Sequence, residues 1–457
     1  MQDLNILGTH LSLIKMSELL LIKKKIQKFN KKINISGDKS LSIRWVLLAS
    51  QTIGKCRAYN LLMSEDVLAA LDSIKKLGIK VRMHKNYCEI FGNGINGFNY
   101  KKNLTINARN SGTLGRLILG LLIKSTQKIK LIGDKSLSKR DFSRITIPLE
   151  KFGAKFYYKN KNKLPLSILG SQSVKGIKYL ENKGSAQCKS SVMFAALNAL
   201  GTTSIKAKKS RNHSEFFFKY LKIPIKIKET RKYDFIDIKQ PKKIKAFNYQ
   251  IPGDISSSAF FIVLTILTNN SSLLIKNVNI NPSRTGVITI LKKMGAKILL
   301  KNQRIYRGEK ISDIFVKSSN NLTSINCPSE LNSSCIDEFL VIFLVAAKAN
   351  GISYFKDMSE LNQKESPRLN WGSKILNMMG IKTELTKDSI KIYGQPNLEI
   401  TKLITIKNYF KDHRIFMMCT IAALTCGGQW KIHDKDSINT SFPSFLKIIK
   451  KINNQSL

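Results

Sequence analysis

Acidic side chains are scarce in this 457-residue chain, where 30 Asp and Glu stand against 77 Lys and Arg for a formal net charge of +47 at pH 7. Such an excess can drive counterion release on nucleic acid. The motifs that read nucleic acid are missing, however: there is no arginine-rich arm, no zinc finger and no aromatic-interleaved RNA motif. The bases are mostly lysine, spread along the whole chain beside abundant Ile and Asn. That distribution reads as compositional drift, and no specific nucleic-acid partner is expected. Cysteine is equally uninformative as a scaffold. Seven residues at positions 56, 88, 188, 327, 335, 419 and 426, with no CxxC pair, exclude a disulfide framework and point to a reducing, cytoplasmic setting. Five histidines include no HExxH and no pair at ligand spacing, so no metal is expected. No window reaches the roughly 18 continuous apolar residues of a membrane helix. The longest apolar runs, Phe260 to Leu267 and Phe339 to Ala347, have polar flanks and predict buried helices.

The lysine cluster Lys23, Lys24, Lys25, Lys28, Lys31 and Lys32 lacks the apolar core and small-residue cleavage site of a signal peptide, and the Ser and Arg richness of a transit peptide. Residues 1–15 carry no periodicity and are expected to be a disordered or spurious extension, with Met16 as a second possible start. The remaining length predicts more than one domain.

One pattern recurs six times: a small-polar or charged cluster opens an apolar helix. The openings are Gly37-Asp38-Lys39-Ser40, Asn110-Ser111-Gly112-Thr113, Ser185-Ala186-Gln187, Gly253-Asp254-Ile255-Ser256, Ile336-Asp337-Glu338 and Lys411-Asp412-His413-Arg414. They fall about 70 to 80 residues apart, too far for a solenoid and right for a βαβαββ unit. A second marker keeps the same phase. Lys76-Leu77-Gly78-Ile79, Lys151-Phe152-Gly153-Ala154, Lys293-Met294-Gly295-Ala296 and Met379-Gly380-Ile381 each predict a helix ending on a left-handed glycine before a strand. Tyr220-Leu221-Lys222-Ile223 is a degenerate third copy. Six units predict two domains of three, 16–37 with 254–457 and 38–253. Ser, Asp and Asn at an opening are ordinary N-caps, a reading expected to cover one or two of the six. Lys39, Arg44, Arg116, Arg140, Arg368 and Arg414 at or beside the openings are not ordinary, because cations there oppose the helix dipole. Backbone N–H groups with Lys and Arg make anion sites, so ligands bearing phosphate and carboxylate are implied.

With these residues in view, the chain resembles the 5-enolpyruvylshikimate-3-phosphate synthase family. The motifs that carry the resemblance are Ser36-Gly37-Asp38-Lys39-Ser40-Leu41-Ser42-Ile43-Arg44, Asn110 to Arg116, Gly133 to Arg140, Glu360 to Arg368 and Asp412-His413-Arg414. Supporting pieces include Ser185 to Ser190, Ser210-Arg211-Asn212-His213-Ser214-Glu215 and Cys335 to Glu338. They stand in the family's order from about Asn34 to Phe445. The resemblance implies an α/β fold of two domains, each a prism of sheets from three βαβαββ units around buried helices, with the active site in the cleft between them. It implies a monomer without cofactor, a target of the herbicide glyphosate, that transfers the enolpyruvyl group of phosphoenolpyruvate to the 5-hydroxyl of shikimate 3-phosphate.

Residue by residue, the resemblance assigns Lys39, Ser40, Arg44, Ser185, Ala186, Gln187, Arg211, Asp337 and Lys364 to shikimate 3-phosphate. Lys39, Gly112, Arg140, Gln187, Arg368 and Arg414 fall to phosphoenolpyruvate. Asp337 is the expected base and Glu365 the expected acid, with Lys39 sharing proton transfers. Several positions depart from the family pattern: Arg109 replaces a glycine, Asn212 an aspartate, and Asn362, Gln363 and Pro367 alter the run before Arg368. Thr440 stands where some members carry a substrate lysine and receives no role. The related transferase acting on UDP-N-acetylglucosamine normally carries a Lys-Asn pair where this chain has Lys39-Ser40. A basic RNA-binding protein that kept the fold and lost catalysis is the other alternative, opposed by the intact Lys39, Asp337, Glu365 and site arginines.

Overall fold

The computed structural model describes residues 18–453, so the expected extension 1–15 and the alternative start at Met16 lie outside the described residues. The chain divides into two compact units. The first comprises the chain through Ile35, Gly253–Gln303 and everything from Ser312; the second comprises Ser36–Pro252 and the short segment Arg304–Ile311. Each unit has its own apolar core.

The second unit repeats one four-stranded sheet three times. In the first sheet the spatial order is Asn248–Gln250, Ile53–Tyr59, Tyr87–Asn93, Lys80–Met83. The second runs Thr105–Asn107, Ile129–Ile132, Leu166–Leu169, Lys155–Tyr158, and the third Lys178–Glu181, Thr202–Lys208, Tyr233–Lys239, Ile225–Glu229. In every copy the first pairing is parallel and the others antiparallel. A parallel pair needs a crossover, which helices Gly112–Leu121 and Ala186–Ala196 provide in the second and third copies, whereas in the first the strand Asn248–Gln250 returns from the end of the unit to join Ile53–Tyr59; helix Lys39–Ser50, which leads into Ile53–Tyr59, completes the set of three interior helices. Being wrapped by sheets and by each other, they are buried nearly all round. Helices Gly112–Leu121 and Ala186–Ala196 approach closely because Gly120 has no Cβ: an added one would sit 2.2 Å from the Ser191 carbonyl oxygen.

The first unit follows the same plan. Asn30–Asn34 pairs in parallel with Ser272–Asn279, which continues into Glu309–Lys317 and Lys297–Tyr306. A second sheet orders Ile352–Phe355, Ile390–Tyr393, Thr383–Leu385. In the third, Ile400–Ile406 lies parallel to Gly427–Ile432, and the edge is completed from the start of the chain by antiparallel Leu20–Ile22. The interior helices are Ile255–Leu267, Phe339–Ala347 and His413–Cys426. Both long apolar runs are thus buried helices, as their flanks predicted.

At the helix openings the N-cap reading accounts for more than was expected of it. Side chains of Asp38, Ser111, Ser185, Asp254 and Asp412 each accept from a backbone N–H of their own first turn, at 2.8 to 3.3 Å. Only the opening at Ile336-Asp337-Glu338 differs, because the short helix Asn332–Cys335 runs into it and no side chain caps Phe339–Ala347. The second marker is equally regular: Gly78, Gly153, Gly295 and Gly380 take φ of +85°, +96°, +91° and +89°, and Lys222 takes +55° in the degenerate copy.

Arg109 also lies in the left-handed region, at φ +50°, in the turn where the family pattern has glycine. Its N–H donates to Asn107 Oδ1 at 2.9 Å and its carbonyl accepts from Asp134 N at 2.8 Å, so the turn is held from both sides. A side chain there costs about 1–2 kcal/mol, partly offset by the greater unfolded-state freedom of glycine. Arg109→Gly is therefore expected to stabilise the protein by roughly 0.5–1 kcal/mol. A denaturation midpoint at or below that of the parent would contradict this.

Candidate active site

In the second unit the expected residues gather at three helix N-termini. Lys39 opens helix Lys39–Ser50, and its Nζ lies 3.0 Å from Asp66 Oδ2. Arg44 stands one turn further, 3% exposed. Its Nε donates to Ser214 Oγ at 2.8 Å, Nη2 to Ser190 Oγ at 3.1 Å and Nη1 to the Ser40 carbonyl at 3.1 Å, while the two serine hydroxyls bond each other at 2.7 Å. Burial pushes the Arg44 guanidinium down to about 10, against the opposing pull of Glu215 and Asp38. Behind it Lys189 and Glu215 form a buried pair at 2.6 Å. Arg211 is half-buried and close enough to Arg44 to repel it.

A second group forms around Gly112, the first residue of its helix. A Cβ there would lie 3.2 Å from Arg140 Nη1 and 3.4 Å from Arg116 Nη1. Arg116 Nη1 donates to Gln187 Oε1, and Gln187 Nε2 donates to Thr113 Oγ1 at 3.1 Å. Burial lowers the Arg116 guanidinium to about 10, and Arg140 adds to the effect. Two guanidinium groups thus converge on the N-terminus of one helix, at a residue without a Cβ, an arrangement that suits a ligand anion. Arg140 is brought there by the loop that follows Gly133, where Asp134 accepts from Asn110 Nδ2 at 2.6 Å and from Leu137 N at 2.7 Å. Ser185 and Ala186 begin the adjoining helix.

The first unit contributes a denser group. Arg368 is 1% exposed. Its Nε and Nη2 donate to the two oxygens of Asp412 at 2.8 and 3.2 Å, a bidentate pair. Nη2 also reaches Glu365 Oε2 at 2.5 Å, and Nη1 lies 3.5 Å from Asp337 Oδ1. Lys364 Nζ approaches the same Asp337 oxygen at 3.3 Å. Burial alone would lower the Arg368 pKa, but Asp412, Glu365 and Asp337 outweigh it and raise it. Arg414 donates through Nη1 to the Asp337 carbonyl at 2.7 Å and through Nη2 to Ser256 Oγ at 2.8 Å, and that serine donates to buried Glu338. Asp337, Glu365, Lys364, Arg368 and Arg414 are therefore one connected group.

Several members carried no assignment in the sequence. Asp412 lies inside the Asp-His-Arg motif, and its position as N-cap was the available signal. Arg116 stood among the openings. Ser190, Ser214, Thr113, Asp66 and Ser256 are common residue types with nothing local to distinguish them. Among the described residues, Glu18, Asp434 and Asp436 lie close enough to share an ion. Lys411 compensates that group, 3.2 Å from Asp436 and 4.0 Å from Asp434.

Burial would raise the Asp412 pKa, but Arg368 wins and holds it below the ordinary carboxylate value. A depressed folded-state pKa means the stabilisation is fully present above the unfolded value of about 4 and fades only as pH falls below it. Asp412→Asn leaves a buried guanidinium short of its main partner and is expected to cost about 3–5 kcal/mol at pH 7. Denaturant titrations at pH 7 and pH 3 check this: the gap between variant and parent should narrow at the lower pH, and equal gaps would refute the assignment.

Residues 23–449 match the family EPSP synthase (3-phosphoshikimate 1-carboxyvinyltransferase). The chain is 39% identical over 422 residues to the 3-phosphoshikimate 1-carboxyvinyltransferase of Ruthia magnifica, covering 92% of this chain and 94% of that one. It is 34% identical over 434 residues to the enzyme of the same name from Bacillus subtilis, covering 94% and 99%. Among solved structures, EPSP synthase from Acinetobacter baumannii superposes with a TM-score of 0.84 at 34% identity, over 95% of this chain and 98% of that one. The enolpyruvyl transferase NikO from Streptomyces tendae, at 12% identity and a TM-score of 0.75 over 95% and 97%, shares the fold. By profile, by relatives and by architecture, the chain belongs to the EPSP synthase family, the 3-phosphoshikimate 1-carboxyvinyltransferases.

Proposed function

We propose that this protein transfers the enolpyruvyl group of phosphoenolpyruvate to the 5-hydroxyl of shikimate 3-phosphate by acid–base chemistry between Asp337 and Glu365. The supporting observation is that both carboxylates contact one buried guanidinium: Asp337 at Arg368 Nη1 and Glu365 at Nη2. The span of Arg368 therefore sets the separation of the two. In the reaction, the acceptor oxygen bonds to the central carbon of phosphoenolpyruvate while its hydroxyl proton passes to Asp337. A proton from Glu365 goes to the terminal methylene, giving a tetrahedral ketal. Glu365, now ionised, then takes one methyl proton back while phosphate departs with the proton held by Asp337, restoring the double bond as the enol ether and both carboxyl groups to their starting states. Lys39 shares in the transfers. To deliver a proton Glu365 has to release Arg368, and an incoming substrate carboxylate or phosphate is the natural replacement.

Lys39, Ser40, Arg44, Ser185, Ala186, Gln187, Arg211, Asp337 and Lys364 are proposed to hold shikimate 3-phosphate. Lys39, Gly112, Arg140, Gln187, Arg368 and Arg414 are proposed to hold phosphoenolpyruvate. Arg116 joins them on the strength of its bond to Gln187 and its distance from Gly112. Seven buried cysteines, none in a disulfide, favour a reducing compartment, and a cytoplasmic monomer is proposed. No described helix is long and apolar enough to cross a membrane.

The decisive assay incubates the purified protein with phosphoenolpyruvate and either shikimate 3-phosphate or UDP-N-acetylglucosamine. Phosphate should appear with shikimate 3-phosphate alone, and none with either acceptor would defeat the proposal. Asp337→Asn and Glu365→Gln are each expected to lower turnover by roughly a hundredfold or more, with far smaller changes in shikimate 3-phosphate binding. Near-normal turnover in either removes that residue from the mechanism.

Gly112→Ala places a methyl against the Arg140 and Arg116 guanidinium groups, which are flexible ends that can yield by a few tenths of an ångström. The fold should tolerate it, since alanine is the better helix former by about 1 kcal/mol. The displaced arginines should raise the KM for phosphoenolpyruvate, and glyphosate, an analogue longer than phosphoenolpyruvate, should lose more. Inhibition curves on parent and variant test this, and equal glyphosate sensitivity would show that Gly112 does not line the anion site.

A further inference from the structure

The segment Arg304–Ile311 is the tip of a hairpin whose strands, Lys297–Tyr306 and Glu309–Lys317, pair in a sheet of the first unit, yet the tip itself belongs to the second. It is built to dock there. The Arg307 guanidinium lies over the rings of Tyr220, Tyr249 and Tyr306 at 5.1, 5.8 and 5.2 Å. Tyr306 OH accepts from Gln250 N at 3.0 Å. Gly308, at φ +89°, leaves room for Phe216, whose Cβ would stand 3.3 Å from an added methyl.

Glu309 completes the tip. Its carboxylate, 1% exposed, meets His213 Nδ1 at 2.6 Å, and the imidazole is fully buried. A carboxylate can only accept, so Nδ1 carries the proton and Glu309 fixes the orientation of the ring. His213 is the first residue of helix His213–Tyr220. The next residue, Ser214, holds Arg44 Nε at 2.8 Å and bonds Ser190, which holds Arg44 Nη2. Glu309 thus stands three links from the Arg44 guanidinium: through His213 to the helix start, through Ser214 to Arg44. Its charge acts on Arg44 in the same sense, raising a pKa that burial lowers.

We propose that Glu309 is a positioning residue for the acceptor-binding half of the reaction, fixing Arg44 for the phosphate of shikimate 3-phosphate through His213 and Ser214. The inference rests on the reading of Arg44 as a shikimate 3-phosphate residue. It adds a participant that does not touch the substrate, supplied by a segment remote in sequence from the rest of that pocket.

The test uses the full chain carrying Glu309→Ala, Glu309→Asp or Glu309→Gln, with Arg44→Lys as reference. Steady-state constants for both substrates, direct titration with shikimate 3-phosphate and thermal midpoints are measured on each. Glu309→Ala should raise the KM and Kd for shikimate 3-phosphate by about tenfold or more, the scale expected when a binding group is misplaced by a fraction of an ångström to an ångström. The KM for phosphoenolpyruvate should stay within about twofold, as for a group that acts on one pocket only. Glu309→Gln should keep most of the affinity, because its amide oxygen still accepts from Nδ1, and Glu309→Asp should fall between. Should the alanine variant not fold, the aspartate variant decides by the same criterion. A parent-like Kd in the Ala or Asp variant overturns the proposal, as does a lowered midpoint accompanied by equal loss for both substrates. If Arg44→Lys weakens shikimate 3-phosphate and the Glu309 variants do not, only the positioning role falls. If Arg44→Lys also binds normally, the assignment of Arg44 falls and takes the positioning role with it.

Discussion

A guanidinium sealed from water needs carboxylates, and Arg368 is sealed at 1% exposure. The desolvation penalty for such an ion is several kcal/mol, repaid only when the geometry of its partners is good. Asp412 provides that geometry in bidentate form, and the same carboxylate caps its own helix by accepting from Arg414 N. Cap, ion pair and the starting direction of Arg414 are therefore one structure. From it Arg414 reaches the Asp337 carbonyl and Arg368 reaches the Asp337 and Glu365 side chains. The two carboxylates proposed for proton transfer are placed by a charge balance, with the peptide backbone in a secondary part.

How much of this could be read in advance depended on whether a feature was local. The helix openings and the left-handed stops at Gly78, Gly153, Gly295 and Gly380 are decided within a few residues by capping and by the absence of a Cβ, and both stand in the sequence. The motifs around Lys39, Gly112, Gln187, Asp337 and Arg368 could be recognised because each is a short contiguous run whose residue types and spacing match a family pattern. Pairings between distant segments leave no such trace. Nothing near Glu309 indicates His213, which lies 96 residues away in sequence. Asp66 is an ordinary helix-start acid until Lys39 is seen against it. Asp412 was visible as a motif member and N-cap but not as the counterion of Arg368, because that role is set by packing.

Lysine and asparagine are abundant and acids few, and several of the acids are interior: Asp38, Asp66, Glu215, Glu309, Glu338 and Asp412 are all buried beside partners. Interior acids resist replacement because each balances a buried cation or hydrogen-bonds a helix end, whereas surface acids carry little stability. Most non-glycine residues at positive φ among those described are Asn or Asp, including Asn60, Asn96, Asn103, Asn162, Asn270, Asn277, Asn302 and Asn408, the residue types that best tolerate that region.

The order in which the ribosome delivers this chain gives its first strands a long wait. Asn30 reaches its neighbour Ser272 only across a separation of 242 residues, and Leu20–Ile22 pairs with Gly427–Ile432 near the other end. At about 5–20 residues per second, these segments remain without partners for roughly ten seconds to over a minute. An unpaired strand edge is a template for association with other nascent chains, and lysine is a standard means of blunting one. Lys31 and Lys32 lie within the waiting strand, and Lys23, Lys24, Lys25 and Lys28 just ahead of it. Charged side chains at these positions disfavour pairing with another nascent chain for as long as the strand lacks its own partner.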